Sequence, residues 1–386
     1  MLGFTLISLM AQLATTASVE QAVASGIHDG VFPGAVVVIG TRDSILLARG
    51  YGHLTWSASS PVPDPDSTLY DLASLTKVVA TTPSIMLLVE KGMVQLDRPV
   101  QYYLPEFAGA GKEGVAVWNL LAHNSGLRSF LRLDTLARDS ATARRIVMSE
   151  PLSWKPGTRV EYSDLNAMLL GWIVERVSRV PLDRFAAANV FAPLDMQETM
   201  FLPPRLVYRR TAPTNLWHGT SIAGAVNDQN AARLGGVSGH AGLFSTGSDV
   251  ARYAQLYLRG GMTGDGKRLF LPKTIELFTQ RTAGNRALGW ESRDTTKADN
   301  SGKAMSSAAF GHTGFTGTSV WIDPRRGVFA VVLTNRVYST RAKKPFTRIK
   351  QIRGQVADAA VALAVERCNR ALAARQTGGA VAVPTC

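Results

Sequence analysis

Residues 71–89 read DLASLTKVVATTPSIMLLV, and this stretch predicts a helix that is apolar nearly all round. Such a helix belongs in the core, where a lysine is costly unless something uses its charge. Ser74 and Lys77 stand three residues apart, which places both side chains on one face of the helix. The amine can take or relay the hydroxyl proton, and the helix N-terminus favours the negative charge that develops. Ser74 is therefore a candidate nucleophile.

The Ser-x-x-Lys pattern needs support, because chance produces about one in a chain of this length. Taken alone, it also fits Ser74 as a helix cap and Lys77 as a side chain that reaches past apolar neighbours to solvent. Two other segments supply the support. Residues 154–166, WKPGTRVEYSDLN, place Tyr162 just before a predicted helix, and residues 310–318, FGHTGFTGT, lie on a predicted strand before a hairpin.

With these three segments in this order, the sequence resembles the serine β-lactamase and penicillin-binding-protein superfamily. That superfamily has the motifs Ser-x-x-Lys, Tyr-x-Asn or Ser-x-Asn, and Lys-Thr-Gly. The separations are similar to those of its class C, D-aminopeptidase and esterase branch, and so are residues 120–127 and 235–246. The resemblance covers roughly residues 32–337. It implies a serine hydrolase that works through an acyl-enzyme and needs no cofactor.

The resemblance also implies roles for individual residues. Ser74 would attack a carbonyl carbon, and Lys77 and Tyr162 would share the proton that it loses. A neighbouring ammonium lowers the pKa of a phenol, so a Tyr162 phenolate is a candidate general base. The backbone N–H groups of Ser74 and Phe315 would form the oxyanion hole. The residues expected to bind substrate are Asp164, His312, Thr313, Gly314 and Phe315.

Two residues depart from the β-lactamase pattern: Asp164 replaces the usual Asn of the second motif, and His312 the usual Lys of the third. A carboxylate beside Lys77 favours its charged form and argues against a free-amine base. A His at the third motif resembles the D-aminopeptidases and removes a permanent cation. We therefore expect D-amino-acid peptides, amides or small esters as substrates. The alternatives are a class C-like β-lactamase and a non-catalytic penicillin- or peptidoglycan-binding sensor.

The other histidines indicate no metal site, because the zinc pairings His-x-x-x-His and His-Glu are absent from the sequence. His240 stands between glycines and is expected to be a satisfied structural histidine in a turn. His123 follows an apolar run and is expected to bond the last carbonyls of a helix.

Strand patterns lie near both ends of the chain, and helical patterns fill its middle. The expected fold class is α/β (α+β): one antiparallel sheet from the terminal segments, flanked by terminal helices, with a helical domain inserted. The strands are expected at residues 34–40, 44–51, 310–322 and 327–335. The subdomains are expected at 18–72 with 285–375 (α/β) and at 73–284 (helical), followed by a flexible tail at 376–386.

Composition and charge exclude several other classes of protein. Of the 386 residues, 46% are hydrophobic and 18% charged, which fits a packed globule and excludes a disordered chain. The net charge of +13 is compatible with an anionic envelope surface. The basic stretch 336–353 lacks the motifs of nucleic-acid binding and is expected to be a solvated face. Two cysteines, Cys368 and Cys386, exclude a disulfide scaffold, and they are either bonded or two thiols.

Residues 1–17 are apolar and uncharged, with the length of a secretory h-region and a small-residue cleavage site at residues 15–17. The basic n-region is missing, so an ordinary helix of a cytoplasmic protein is the alternative. We expect a periplasmic or secreted protein that acts on a small peptide, amide or ester, which would derive from peptidoglycan in the envelope. The sequence does not indicate the oligomeric state.

Overall fold

The computed structural model describes residues 2–217, 220–296, 300–339 and 346–376. Its strands are β1 (Gly34–Thr41), β2 (Ile45–Gly52), β3 (Tyr70–Asp71), β4 (Met200–Phe201), β5 (Asn215–Trp217), β6 (Thr220–Ile222), β7 (Leu243–Ser245), β8 (Glu291–Ser292), β9 (Phe310–Thr313), β10 (Ser319–Asp323) and β11 (Val328–Thr334). Six of them form an antiparallel sheet in the order β2-β1-β11-β10-β9-β8. Two smaller sheets have the orders β3-β7-β4 and β5-β6.

Helices cover the sheet and fill the middle of the chain. They are α1 (Leu2–His28), α2 (Thr82–Glu90), α3 (Val100–Tyr103), α4 (Val117–Leu121), α5 (Leu133–Leu136), α6 (Ser140–Ser149), α7 (Asp164–Ser178), α8 (Leu182–Ala186), α9 (Gln229–Arg233), α10 (Gly247–Leu258), α11 (Pro272–Thr279) and α12 (Phe346–Gln376). The predicted fold class is therefore confirmed. Within the described ranges, none of the helices has the length and hydropathy of a membrane span.

Strand β1 is buried on both faces, which explains its continuous apolar run. Val36 and Val38 point into one core, which includes the middle helices. Val37 and Ile39 point into a second core, which contains apolar residues of α1 and α12. The alternation of a strand thus supplies two hydrophobic layers at once.

The segment that carries Ser74 follows strand β3 of the three-stranded sheet. Asp71 in β3 pairs with Phe244 in β7, and the chain then turns into a π-helical turn at Lys77–Thr81 that continues as α2. Thr76 Oγ1 accepts the N–H of Leu243 (3.1 Å), so residues 235–246 are tied to the start of this helix.

The prediction of one strand over residues 310–322 is wrong. The chain reverses after β9, and Gly314 N–H donates to Thr318 O (2.7 Å) before β10 begins. Gly317 has φ of 109°, and a Cβ atom there would lie 1.9 Å from Thr334 Oγ1. Only glycine fits at this position, and it allows a turn here although the β-branched residues on either side favour a strand.

The first of the terminal helices is α1, which spans Leu2–His28 and includes the expected cleavage site at residues 15–17. Helix α12 runs to Gln376. The rest of the expected tail, including Cys386 and hence the cysteine pairing, lies outside the described residues.

Candidate active site

Ser74 lies on a strained turn between β3 and the helix. Ala73 has a left-handed conformation with φ of 47°, which is costly for a residue with a Cβ atom. The Asp71 carboxylate holds this turn, because its oxygens accept the N–H groups of Ala73 (2.8 Å) and Asn227 (2.7 Å). Burial raises the pKa of Asp71 to about 6, although both N–H groups oppose the shift. The backbone turn before Ser74, held by Asp71, thus fixes the position of this half-buried serine.

Lys77 is buried beside Ser74, with only 3% of its side chain exposed. All three protons of its ammonium group have an acceptor. Nζ lies 3.1 Å from Ser74 Oγ and 3.0 Å from the backbone oxygen of His240. It also forms an ion pair with Asp164 Oδ1 at 2.7 Å. A buried lysine with this set of partners satisfies its charge inside the core.

The charge state of Lys77 follows from its neighbours. Burial lowers the pKa of Lys77, but the Asp164 carboxylate and the Tyr162 hydroxyl raise it, and the net direction is upward. The resting site therefore contains an ammonium ion, as the sequence predicts from Asp164. Because the folded state binds this proton more tightly, the resulting stabilisation is complete below the ordinary pKa of 10.5 and disappears as pH rises through the folded value.

Tyr162 precedes α7 and lies with its ring centre 5.0 Å from Lys77 Nζ. Within the described part of the chain, its buried hydroxyl has no hydrogen-bond partner. Burial raises the pKa of Tyr162, Asp164 adds to this, and Lys77 and Ser74 oppose it without reversing it. The expected phenolate is therefore wrong for the resting site, since desolvation outweighs the neighbouring ammonium and Tyr162 is a neutral phenol.

Two neutral histidines flank the Tyr162 ring, with centroid distances of 4.7 Å for His123 and 5.7 Å for His312. His123 Nδ1 accepts the N–H of Ser163 (3.1 Å), whereas His312 Nδ1 donates to Thr313 O (2.9 Å). Burial, followed by nearby cations, holds the pKa of both rings well below 6.5. The expectation that His123 bonds the carbonyls of its helix is wrong: its φ of 54° ends that helix, and its ring contacts the second motif.

The turn between β9 and β10 lies against the Ser74 segment. Thr316 Oγ1 donates to Asp71 O (2.8 Å), and Thr318 Oγ1 donates to Leu72 O (3.0 Å). A Cβ atom on Gly314 would lie 2.5 Å from Leu72 O, so only glycine permits this approach. Within the described residues, the backbone N–H groups of Ser74 and Phe315 donate no hydrogen bond. Two free amides at adjacent segments fit an oxyanion hole.

Arg286 is a charged group at this site that no motif indicated. Its guanidinium carbon lies 5.0 Å from the centre of the Tyr162 ring, and its charge lowers the pKa of His123 and His312. Its Nε and Nη1 atoms are buried, and they have no hydrogen-bond partner among the described residues. The third motif lacks the usual lysine, and Arg286 supplies a different cation to the site. Sequence spacing could not reveal it, because Arg286 stands 26 residues before His312.

His240 and Asp228 complete the surroundings of Lys77. His240 is satisfied as expected, because Nδ1 bonds Ser238 Oγ (2.8 Å) and Nε2 bonds Asp228 Oδ1 (3.0 Å). Burial raises the pKa of Asp228, but His240, a backbone N–H and Lys77 lower it, and the net direction is downward. Ligand atoms of Asp164, Asp228 and His240 lie within 4.8 Å of one another, as a cation site would require. The Lys77 ammonium already pairs with Asp164 here, and its charge helps to lower the pKa of Asp228.

The structure thus brings Ser74, Lys77, Tyr162, Asp164 and His312 into one cluster, with Gly314 packed against the Ser74 turn. Thr313 contributes a backbone acceptor to His312, and the Phe315 side chain is 55% exposed.

The ion pair between Lys77 and Asp164 leads to a prediction on stability. Asp164→Asn leaves the ammonium buried without its counter-charge, and we expect the free energy of unfolding at pH 7 to fall by about 3–5 kcal/mol. Adding Lys77→Met should recover much of this loss, because it removes the unpaired charge. Urea unfolding of the two variants measures both effects.

The control is Glu106→Gln, which breaks the exposed pair with Arg176 and should cost under about 1 kcal/mol. The account fails if Asp164→Asn costs no more than this control, or if Lys77→Met lowers stability further in the Asp164→Asn background.

Comparisons with known proteins agree with this geometry. Residues 19–353 match the family model described as “Beta-lactamase”. An Escherichia coli (strain K12) protein, named “Putative D-alanyl-D-alanine carboxypeptidase”, is 33% identical over 311 residues, which are 72% of this chain and 71% of that protein.

Solved structures share the fold. A penicillin-binding protein homologue from Caulobacter crescentus has a TM-score of 0.75 at 22% identity, covering 90% of this chain and 97% of that chain. A hydrolase with promiscuous acyltransferase activity has a TM-score of 0.72 at 21% identity, covering 90% and 100%. The chain is a member of the β-lactamase family, within the serine β-lactamase and penicillin-binding-protein superfamily.

Proposed function

We propose that the protein is a serine carboxypeptidase that forms an acyl-enzyme at Ser74 on peptides ending in a D-amino acid. The observation that carries this proposal is the Lys77 ammonium bound to Ser74 Oγ, with an unpaired Arg286 beside the adjoining Tyr162 ring. The printed name of the Escherichia coli relative supports the same substrate class. Small esters form a second substrate class, because the same nucleophile can attack their carbonyl carbon.

The proton path follows from the charge states. Ser74 Oγ attacks the substrate carbonyl carbon and loses its proton. As an ammonium ion, Lys77 cannot accept a further proton, so it first passes one of its own to Asp164, its partner at 2.7 Å, and then takes the Ser74 proton. The neutral Tyr162 phenol protonates the leaving amine as the C–N bond breaks. Lys77 then gives a proton to the Tyr162 phenolate, and Asp164 gives one back to Lys77. Deacylation uses water in place of the amine.

The tetrahedral intermediate carries its negative charge on the former carbonyl oxygen. The free N–H groups of Ser74 and Phe315 are the donors available for it. Donors that are fixed before the reaction stabilise this charge without reorganisation, which is usually the largest electrostatic contribution to such catalysis. The strained Ala73 and the bonds from Thr316 and Thr318 fix both donors.

Arg286 indicates what the substrate carries. A guanidinium with buried, unpaired N–H groups loses hydration without compensation, and a carboxylate with its two oxygens is the partner that matches it. A peptide with a free C-terminal carboxylate would place this group beside the leaving amine. The neutral His312 adds no charge, so Arg286 is the cation that selects such a peptide.

We predict that the wild-type enzyme cleaves an N-acyl-D-Ala-D-Ala peptide about ten- to a hundredfold faster, in kcat/KM, than the same peptide with a C-terminal amide. Arg286→Gln should abolish this preference by slowing only the free acid. The matched control is Arg159→Gln, because Arg159 also lies over an aromatic ring, that of Trp154, at 4.2 Å.

Equal rates on the acid and the amide in the wild-type enzyme would contradict the assignment of Arg286. Nitrocefin and p-nitrophenyl esters belong in the same assay. Turnover of nitrocefin above all peptides and esters would make the protein a β-lactamase. A stable penicillin label without turnover of any substrate would make it a sensor.

We also propose that the protein is exported and cleaved after Ala17. Among residues 15–18 none is buried, whereas Val19 and Val23 are 1% and 0% exposed in the core with α12. Removal of residues 1–17 therefore leaves the apolar contacts of Val19 and Val23 in place. We predict a mature N-terminus at Ser18 when the protein is expressed in a Gram-negative host. N-terminal sequencing of the periplasmic fraction tests this, and an intact Met1 in the cytoplasm would contradict it.

A further inference from the structure

Arg353 is a buried cation outside the cluster described above. It lies in α12, on the far side of the sheet, and is 5% exposed. Its guanidinium donates to four oxygens: Gly314 O (3.1 Å), Gly317 O (3.3 Å), Thr318 O (2.9 Å) and Asn300 Oδ1 (3.1 Å). Three of these acceptors are backbone carbonyls of the turn between β9 and β10. Helix α12, whose apolar residues pack in the second core, thus sends this charged side chain into the turn.

The charge of Arg353 persists inside the protein. Burial and, after it, the charge of Arg336 lower its pKa to about 9, while Glu291 opposes the shift. The group is therefore protonated at neutral pH. In the described part of the chain, no carboxylate lies within 4.0 Å of it. Its charge is compensated at short range by carbonyl dipoles.

One of the acceptors has a special relation to the proposed chemistry. The carbonyl of Gly314 and the N–H of Phe315 belong to the same peptide group. A hydrogen bond from a cation to the carbonyl oxygen withdraws electron density from the peptide and makes its N–H a stronger donor. It also fixes the plane of the peptide, and hence the direction in which the Phe315 N–H points.

Arg336 holds the next peptide of the turn. Its Nη2 donates to Phe315 O (3.0 Å), and its backbone N–H donates to Thr316 O (2.7 Å). Its guanidinium carbon also lies 5.3 Å from the centre of the Phe315 ring. The two carbonyls that flank the Phe315 N–H are therefore both bound by arginines from outside the site.

We propose that Arg353 is a positioning residue that polarises and orients the Gly314–Phe315 peptide, so that the Phe315 N–H stabilises the oxyanion. This inference rests on the proposed function, in which that N–H is one of two oxyanion donors. Arg353 itself does not touch the substrate. It acts on the transition state more than on the bound substrate, so its loss should lower kcat and leave KM nearly unchanged.

The kinetic test is Arg353→Lys, which keeps the charge but cannot reach the Gly314, Gly317 and Thr318 carbonyls together. We expect kcat to fall about ten- to a hundredfold, with KM within about threefold of the wild-type value. The matched control is Arg293→Lys. Arg293 is also buried and donates to backbone carbonyls, but to those of Gly302 and Lys303. Its loss should leave kcat within about threefold of wild type.

A second measurement is independent of activity. The sequence contains two Gly-Phe pairs, Gly3–Phe4 and Gly314–Phe315. Labelling with glycine carrying ¹³C at the carbonyl and phenylalanine carrying ¹⁵N selects these two amides in a nuclear magnetic resonance spectrum. In Arg353→Lys, the Phe315 amide proton should move upfield, as expected for a less polarised peptide, while the Phe4 signal, measured on the uncleaved full chain, stays in place. In Arg293→Lys neither signal should move.

The outcomes are distinguishable. A wild-type protein without activity on any substrate would refute the proposed function, and the Phe315 signal would still decide whether Arg353 polarises its peptide. An unmoved Phe315 signal, or equal loss of kcat in the Arg353 and Arg293 variants, would overturn the inference. If Arg353→Lys does not fold, Asn300→Ala replaces it, because this change removes one anchor of the guanidinium and should shift the same signal in the same direction.

Discussion

A buried ammonium group needs an acceptor for each of its three protons, and this requirement at Lys77 organises the site. The acceptors come from three parts of the chain: the Ser74 turn, the first residue of α7, and the loop that contains His240. The three segments must converge on one point for the charge to be tolerated in the core. Thr81, one helical turn after Lys77, adds a bond to Gly239 O at 2.7 Å, which ties the same loop to the same helix. The arrangement of the nucleophile therefore depends on one charge.

The three cations in and around the site differ in what compensates their charge. Lys77 is neutralised inside the site by Asp164. Arg286 is left without a partner in the described residues and is available to a carboxylate. Arg353 lies behind the turn and acts on backbone carbonyls. The histidines and Tyr162 between these charges are neutral, because desolvation dominates their pKa values. In the proposed function, these three cations serve proton transfer, substrate binding and support of the turn.

Much of this could be predicted from the sequence where the signal is local. The three-residue spacing of Ser74 and Lys77 brings them together, and the helix predicted after Tyr162 begins at Asp164. The charged state of Lys77 was also predictable, since it required only a nearby carboxylate. Local signals of this kind depend on helical periodicity, capping and charge.

The rest depends on contacts between distant residues. Arg286 and Arg353 carry no motif, and their roles follow from where the sheet and α12 place them. The split of the strand at Gly317 results from its close approach to Thr334 in another strand. The pKa of Tyr162 depends on how much water the fold removes, which a sequence motif does not state. These features need the tertiary structure.

The central claim is that Ser74 is the nucleophile, and acylation by a penicillin tests it most directly. The protein is mixed with benzylpenicillin, quenched in acid, and analysed by mass spectrometry of the whole chain and of its peptides. The account predicts that the mass increases by one penicillin molecule, that the adduct is on Ser74, and that Ser74→Ala gains no mass. An adduct on another residue, or labelling of Ser74→Ala to the same extent as the wild-type protein, would contradict it.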